Sequence, residues 1–329
     1  MNKYLILALK SIRRVYQILF NHEKVVKSEC IQDEELASKI IYDALMADSS
    51  CMIGRFGSTE LACLINYIGV TQDKNKYLHY FQGKTQRWWW EQNIIKQMQN
   101  WSGFFPARED KIEQFCQLML EDIPQVDVLG SWLAEEQLFE KQLVSARKVH
   151  LRLLEPFWSD APWTKALEEK KVVVVHPFAE TIEQQYLKRQ LLFDNKDVLP
   201  NFKSLTVIKA VQTLGEEDTR FKDWFEALQY MKSEIDKLDY DVCLIGCGAY
   251  GFHLAAHVKR SGKKGIHLGG ALQLLFGIIG KRWEDPNYGV KEWGIPTGSY
   301  SDLINGYWVR PGENDRPTNA EKVEGACYW

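Results

Sequence analysis

Several common sources of chemistry are missing from this sequence. There is no Walker A segment, which argues against P-loop nucleotide hydrolysis, and no G-x-S-x-G turn to seat a hydrolase serine. No CxxC pair occurs: the seven cysteines, at 30, 51, 63, 116, 243, 247 and 327, are odd in number and scattered. That usage speaks for free, buried thiols in a reducing, cytoplasmic setting, and against a disulfide framework or a zinc site. Basic excess is also lacking. With 41 Lys and Arg against 44 Asp and Glu the formal charge is −3, so no broad positive field is offered to nucleic acid. Internal repeats, low-complexity tracts and Gly/Ser linkers are absent as well.

No signal peptide is read near the N-terminus. The segment YLILALKSIRRVYQILF (4–20) holds Lys10, Arg13 and Arg14, too much charge for a bilayer-spanning helix. Its apolar residues Leu5, Ala8, Ile12, Val15, Tyr16 and Leu19 recur at helical spacing with basic residues between them. Two readings follow: a helix lying on an anionic membrane surface, or one packed on its own domain.

What is present is globular. The chain has 329 residues, 45% hydrophobic and 26% charged, enough for one large or two modest domains. Short apolar runs predict strands at 51–55, 126–130, 147–151, 171–176, 205–210, 240–246 and 264–269. Most do not alternate, KVVVVH (171–176) least of all, as suits strands covered on both faces of a parallel sheet. Helical segments at 34–47, 60–68, 88–100, 109–121, 134–143, 179–192, 221–237 and 251–262 fall between them. This alternation predicts a doubly wound, mainly parallel α/β sheet flanked by helices, Rossmann-like in type. The expected organisation is an N-terminal amphipathic extension (1–33), a single α/β domain (34–285) and a Gly/Pro/Trp-rich extension (286–329) packed on it. A polar, aromatic insertion occupies about 72–108, and its Trp88-Trp89-Trp90 run is a candidate platform for stacking a sugar ring.

Two strand–turn–helix junctions carry the candidate chemistry. In DVCLIGCGAYGFHLAAHVKRSG (241–262), Gly246, Gly248 and Gly251 fit G-x-G-x-x-G, with Tyr250 inside the turn. Such a turn brings backbone and a helix N-terminus close to a phosphate, or serves only to pack the helix closely on the sheet. A dinucleotide fingerprint also wants an acid at the end of the next strand, where this chain has His267. In CMIGRFGSTELACL (51–64), Arg55 emerges at the carboxyl edge of a buried strand, the ligand crevice of open α/β folds. Its fork of donors matches a phosphate, Gly57 permits the turn, Ser58 is placed to cap the helix and Glu60 lies in its first turn. Structural roles fit the same residues equally well: a first-turn acid set by the helix dipole, and an arginine paired with a carboxylate.

The run I-G-R-F-G-S-T-E-L resembles the R-[FY]-G-D-G-E segment of bacterial GT-D-type glycosyltransferases of cell-surface polysaccharide and glycoprotein synthesis. The strand–GCGAYG–helix–KKGIHLGG stretch is similar to the same family's C-terminal sheet edge, and the likeness spans roughly 35–285. What the resemblance implies is a transferase that moves a sugar from a nucleotide diphosphate sugar to a surface glycan or glycoprotein. Glu60 then matches the family's Glu and Arg55 its Arg. The resemblance also implies a divalent ion, Mn²⁺ or Mg²⁺, but Ser58 stands in place of the family's Asp and removes a carboxylate from that donor set. Arg55, Gly57, Ser58, Gly246, Gly248, Tyr250 and Gly251 become the expected donor contacts. Glu60, and after it His267, become the expected proton-transfer groups.

Further candidates lie nearby. His176, which ends KVVVVHP at another strand edge, and Gln273, which follows Gly269-Gly270, join the expected donor contacts, and Lys281-Arg282 add charge at the end of that helix. His253 and His257 are four apart on one helix, but no acid lies between them as in HExxH, so they read as ordinary helix residues and no metal is assigned. Two other functions stay open at this point: an NAD(P)-dependent oxidoreductase using GCGAYG, and a catalytically silent sugar-nucleotide-binding protein of a polysaccharide assembly complex.

Overall fold

Val172 and Val174 turn to one side of their strand, and Val173 and Val175 to the other. Both pairs are fully buried, in two separate apolar cores. A sheet buried on both faces needs helices on both, and that requirement sets the architecture. The computed structural model describes residues 2–20, 29–72, 77–213, 220–315 and 328–329. Segments 21–28, 73–76 and 316–327, which belong to the expected N-terminal extension, aromatic insertion and C-terminal extension, lie outside the described residues, as does Cys327.

In chain order the described elements begin with α1 (Lys3–Leu19), α2 (Glu34–Met46), β1 (Cys51–Gly54), α3 (Ser58–Thr71), α4 (Tyr77–Phe81), α5 (Gln92–Asn100) and α6 (Glu109–Asp122). There follow β2 (Val128–Ser131), β3 (Arg147–His150), β4 (Lys171–His176), α7 (Ala179–Tyr186), β5 (Ser204–Lys209), α8 (Trp224–Asp236), β6 (Val242–Ile245), α9 (Tyr250–Arg260) and β7 (Lys264–His267). The seven strands form one sheet in the order β3-β2-β1-β7-β6-β4-β5, with every pairing parallel. The doubly wound α/β fold is thus present, and all carboxyl ends share one edge. One face carries α2 and α7, and the other carries α3, α6, α8 and α9.

Local chemistry accounts for the helix starts. Asp33 caps α2 by accepting from Leu36 N–H at 2.7 Å, and Asp223 caps α8 by accepting from Glu226 N–H at 2.9 Å. Each satisfies a donor that the helix cannot pair internally. Two helical expectations are corrected. The 88–100 helix begins only at Gln92, because Trp88 and Trp89 are drawn into a small satellite core with Leu9 and Tyr80. At 134–143 there is only a 3₁₀ turn over Ala134–Phe139. There Glu136, fully buried, folds back to accept from Trp132 and Leu133 N–H, each at 3.0 Å, and from the Ser131 hydroxyl.

The triple tryptophan is therefore no exposed platform. Trp88 and Trp89 are core, Trp89 Nε1–H donates to Glu91 at 2.7 Å, and Trp90 stacks on Tyr67. The i, i+4 histidines also have structural partners: His253 meets buried Asp122 at 2.7 Å, and His257 meets Asp236 at 2.8 Å. No helix among the described residues is long and apolar enough to cross a membrane.

The described part of the C-terminal extension is pinned through Glu155. Its Oε2 accepts from Tyr300 O–H at 2.7 Å and from Trp158 Nε1–H at 2.8 Å. Burial outweighs these bonds and pushes the carboxyl up to about 7. A group still protonated in the fold, where the unfolded chain has released its proton, makes stability fall as pH rises. The window is about 4.5 to 7, and the loss at its upper end is about 3 kcal/mol. Glu155→Gln keeps both accepted bonds without the charge. Its melting temperature should match the parent near pH 5 and exceed it by a few degrees at pH 8; an equal loss at both pH values would refute a protonated Glu155.

Candidate functional site

Five adjacent strands, β2, β1, β7, β6 and β4, end around a single cleft of about 220 Å³ at the carboxyl edge of the sheet. A water occupies about 30 Å³, so there is room for a phosphate-sized group with neighbours. Of the residues singled out in the sequence, Arg55, Gly57, Ser58, Glu60, His176, Gly246, Gly248, Tyr250, His267 and Gln273 all line it. Gly251 does not. A Cβ there would lie 2.2 Å from His267 Nδ1, so this glycine lets α9 close onto the β7 histidine, a packing role in place of the expected donor contact.

Arg55 is the centre of the cleft's electrostatics. Buried strand surroundings leave its side chain only the edge to point toward, and its Cζ rests 5.5 Å from the ring centre of Trp132. Trp132 is fixed in turn, since its Nε1–H donates to Phe56 O at 3.1 Å and its backbone N–H to Glu136. The Arg55 guanidinium makes no hydrogen bond or ion pair among the described residues, and its Nε is buried without a partner. The alternative reading of a structural carboxylate partner for this arginine finds no such carboxylate among the described residues. Gly269, at φ +64°, lies against the guanidinium: a Cβ there would come within 3.6 Å of Cζ. Gly246 packs against the Gly269 carbonyl, so arginine and glycine turn meet through this contact.

Two long helices point their N-termini into the same space. Ser58, Thr59 and Glu60 open α3, whose N-cap Gly57 supplies no side-chain cap. Ser58 therefore stands at the first helical position and not at the expected cap. Gly248, at φ +58°, Ala249 and Tyr250 open α9. Helix N-termini carry partial positive charge, so both favour an anion beside Arg55. Glu60 is the one acidic side chain among the described lining residues, and its Oε2 lies over Gly57, where any Cβ would fall 1.7 Å away. The bare backbone at 57 is what admits that carboxylate.

The two histidines are neutral. Burial pushes His176 down to about 3. Burial first, and the Arg55 charge after it, push His267 down to about 3. His176 Nδ1 accepts from Phe178 N–H at 3.0 Å, which leaves the proton of the neutral ring on Nε2 and makes that nitrogen a donor. His267 Nδ1 is buried without a partner against Gly251. Such a weakly basic ring is a poor proton acceptor.

Four residues, Trp101, Trp132, Tyr328 and Trp329, escaped the sequence reading. Trp132 and Trp101 supply aromatic faces, Trp101 being 42% exposed. Tyr328 and Trp329 close one wall: Tyr328 packs on Gly270, and Gln273 Nε2–H donates to the Tyr328 carbonyl at 3.2 Å. Gln273 Oε1 and Trp329 Nε1 are buried without partners. Arg282, which the sequence did single out, reaches the same wall, its Cζ 4.5 Å from the Tyr328 ring centre. Only tryptophan abundance and Gly-flanking positions marked the other four residues in the sequence.

A divalent ion fits this donor set poorly. Among the described residues no group of three His, Cys, Asp or Glu side chains is placed to hold a metal, and the cleft offers Glu60 with hydroxyls beside it.

The neutral histidines have a pH signature. Their stabilising effect is present above pH 6.5 and is lost as the pH falls toward 3, because the unfolded chain gains protons that the fold excludes. In nitrogen NMR, two imidazoles should remain neutral at pH 4.5 in the folded protein, and His176→Asn and His267→Asn should each remove one; titration of both near 6.5 would contradict the buried, neutral assignment. Comparison with family models, with characterised proteins and with solved structures gives no match to this chain, so its function rests on the chemistry of this cleft.

Proposed function

We propose that this protein is a glycosyltransferase that moves a sugar from a nucleotide diphosphate sugar to a hydroxyl of a cell-surface glycan or glycoprotein. The observation that carries the reading is the Arg55 guanidinium: uncompensated, partly buried, stacked on Trp132 and flanked by the N-termini of α3 and α9. A cation held in this way calls for a doubly charged ligand such as a diphosphate. The resemblance of the R-F-G-S-T-E and GCGAYG stretches to the GT-D family supports the choice of a sugar donor over other diphosphates.

In this reading the diphosphate lies between Arg55 and the Gly246–Tyr250 turn, within reach of the His176 Nε2–H. As the bond between the sugar's anomeric carbon and the phosphate oxygen breaks, its electron pair moves onto that oxygen, where these donors meet the growing charge. A new bond forms from the acceptor oxygen to the anomeric carbon, and the acceptor proton passes to the Glu60 carboxylate. Trp101 and Trp132 offer faces for the base or sugar ring. No step is drawn through a metal ion.

Thermal-shift screening with UDP-, GDP- and CMP-sugars beside NAD(P), followed by donor turnover, tests this. A UDP- or GDP-sugar should stabilise the protein while the monophosphate CMP-sugars do not, and Arg55→Ala should weaken its binding about 10- to 100-fold. Glu60→Gln should leave binding largely intact and slow turnover about 10²- to 10⁴-fold. Stabilisation by NAD(P) alone would point to an oxidoreductase, and tight donor binding without turnover in the parent to a silent binding protein; either overturns the transferase.

A further inference from the structure

The first helix shows a second surface whose chemistry is unrelated to the cleft. One side of α1 is well seated: Leu9 is buried with Tyr80, Trp88 and Trp89, Lys10 Nζ meets Glu91 Oε2 at 2.7 Å, and Arg13 lies 4.6 Å from the Tyr80 ring centre. The opposite side is apolar and bare. Tyr4, Leu7, Ile12, Val15, Ile18 and Leu19 are all exposed, Leu7 at 63% and Ile18 at 69%. At 100° per residue these six occupy a continuous arc of about 140°, with only Ala8 and Ser11 between them. No other described element covers them.

Charge decides what suits this face. The helix carries Lys3, Lys10, Arg13 and Arg14 and no acid at all. Lys3 and Arg14 fall along one margin of the apolar arc. A cavity of about 450 Å³ opens beside that margin, lined by Lys10, Arg13, Arg14 and Arg87, with Glu135 as its one acidic residue. An apolar stripe flanked by cations that face a basic pocket matches acyl chains beneath phosphate headgroups. A soluble protein partner would need an acidic rim of its own to suit the same charge, and an electroneutral helix face would have served it better.

We propose that α1 lies in the surface of an anionic lipid bilayer, its Leu7–Val15–Ile18 face among the acyl chains and its Lys3, Arg14 and neighbouring cavity at the lipid phosphates. The helix is too short in apolar length to span the bilayer, so the attachment is peripheral and salt-sensitive. It does not depend on what the cleft binds.

Vesicle co-sedimentation of the full chain tests the proposal. The protein should pellet with vesicles containing phosphatidylglycerol and stay in solution with phosphatidylcholine alone, and added salt should release it. Leu7→Glu combined with Ile18→Glu should abolish pelleting, while melting temperature and cleft-ligand binding stay unchanged because both positions are exposed. Lys3→Gln and Arg14→Gln should each lower partitioning about fivefold. Equal recovery with both vesicle types, or none with either, would overturn the proposal. A parent that is dimeric by light scattering, made monomeric by the double variant, would instead assign the face to a second copy of the chain.

Discussion

A buried parallel strand has no place along its length for a charged side chain, so charge collects where the strands end. In this sheet every strand runs the same way, and the ends of five neighbours gather on one edge. Arg55 is the consequence with the most weight. Elsewhere in the fold buried or half-buried charges are answered: Asp223 by Lys111 at 2.7 Å, Arg152 by Glu34 at 2.7 Å. Arg55 alone among the cleft groups combines a guanidinium with a partnerless buried Nε. An unanswered charge costs stability in the empty protein and returns it when an anion binds, which couples folding to ligand.

The surroundings of that arginine are arranged to keep the positive potential and little else. Neutral histidines avoid repelling the guanidinium, and the Arg55 charge itself helps hold His267 in that state. The remaining positive character comes from two helix N-termini, which do not titrate. The cleft's positive potential therefore does not rest on a histidine that titrates near neutral pH. Glycine placement is equally specific: Gly57 makes room for the Glu60 carboxylate, and Gly251 for the His267 ring.

The aromatic insertion resolves differently from its sequence. Three adjacent tryptophans suggested display, yet Trp88 and Trp89 bury themselves with Leu9 of α1 and Tyr80 of α4. Burying one side of α1 in this way fixes which side is left bare. The helix α3 joins the two regions, since its first residues enter the cleft and its Ala62, Ile65 and Asn66 line the basic cavity under α1.

By itself the sequence determined all seven strands, the burial of the central ones on both faces and thus the doubly wound class, because short unbroken apolar runs such as KVVVVH are local signals. It also marked both strand–turn–helix junctions, since glycine at a turn and arginine at a strand end are local chemistry. It could not distinguish a glycine that lines the cleft from one that faces a ring, since Gly248 and Gly251 both belong to the one G-x-G-x-x-G pattern. Nor could it give the strand order, which sets β1 against β7 and β6 against β4. That order alone brings together Arg55, His176, Gly246 and His267, and adds Trp132 and Trp329 from segments without a motif. Such neighbours are chosen by the packing of whole layers, and no spacing along one chain segment records them.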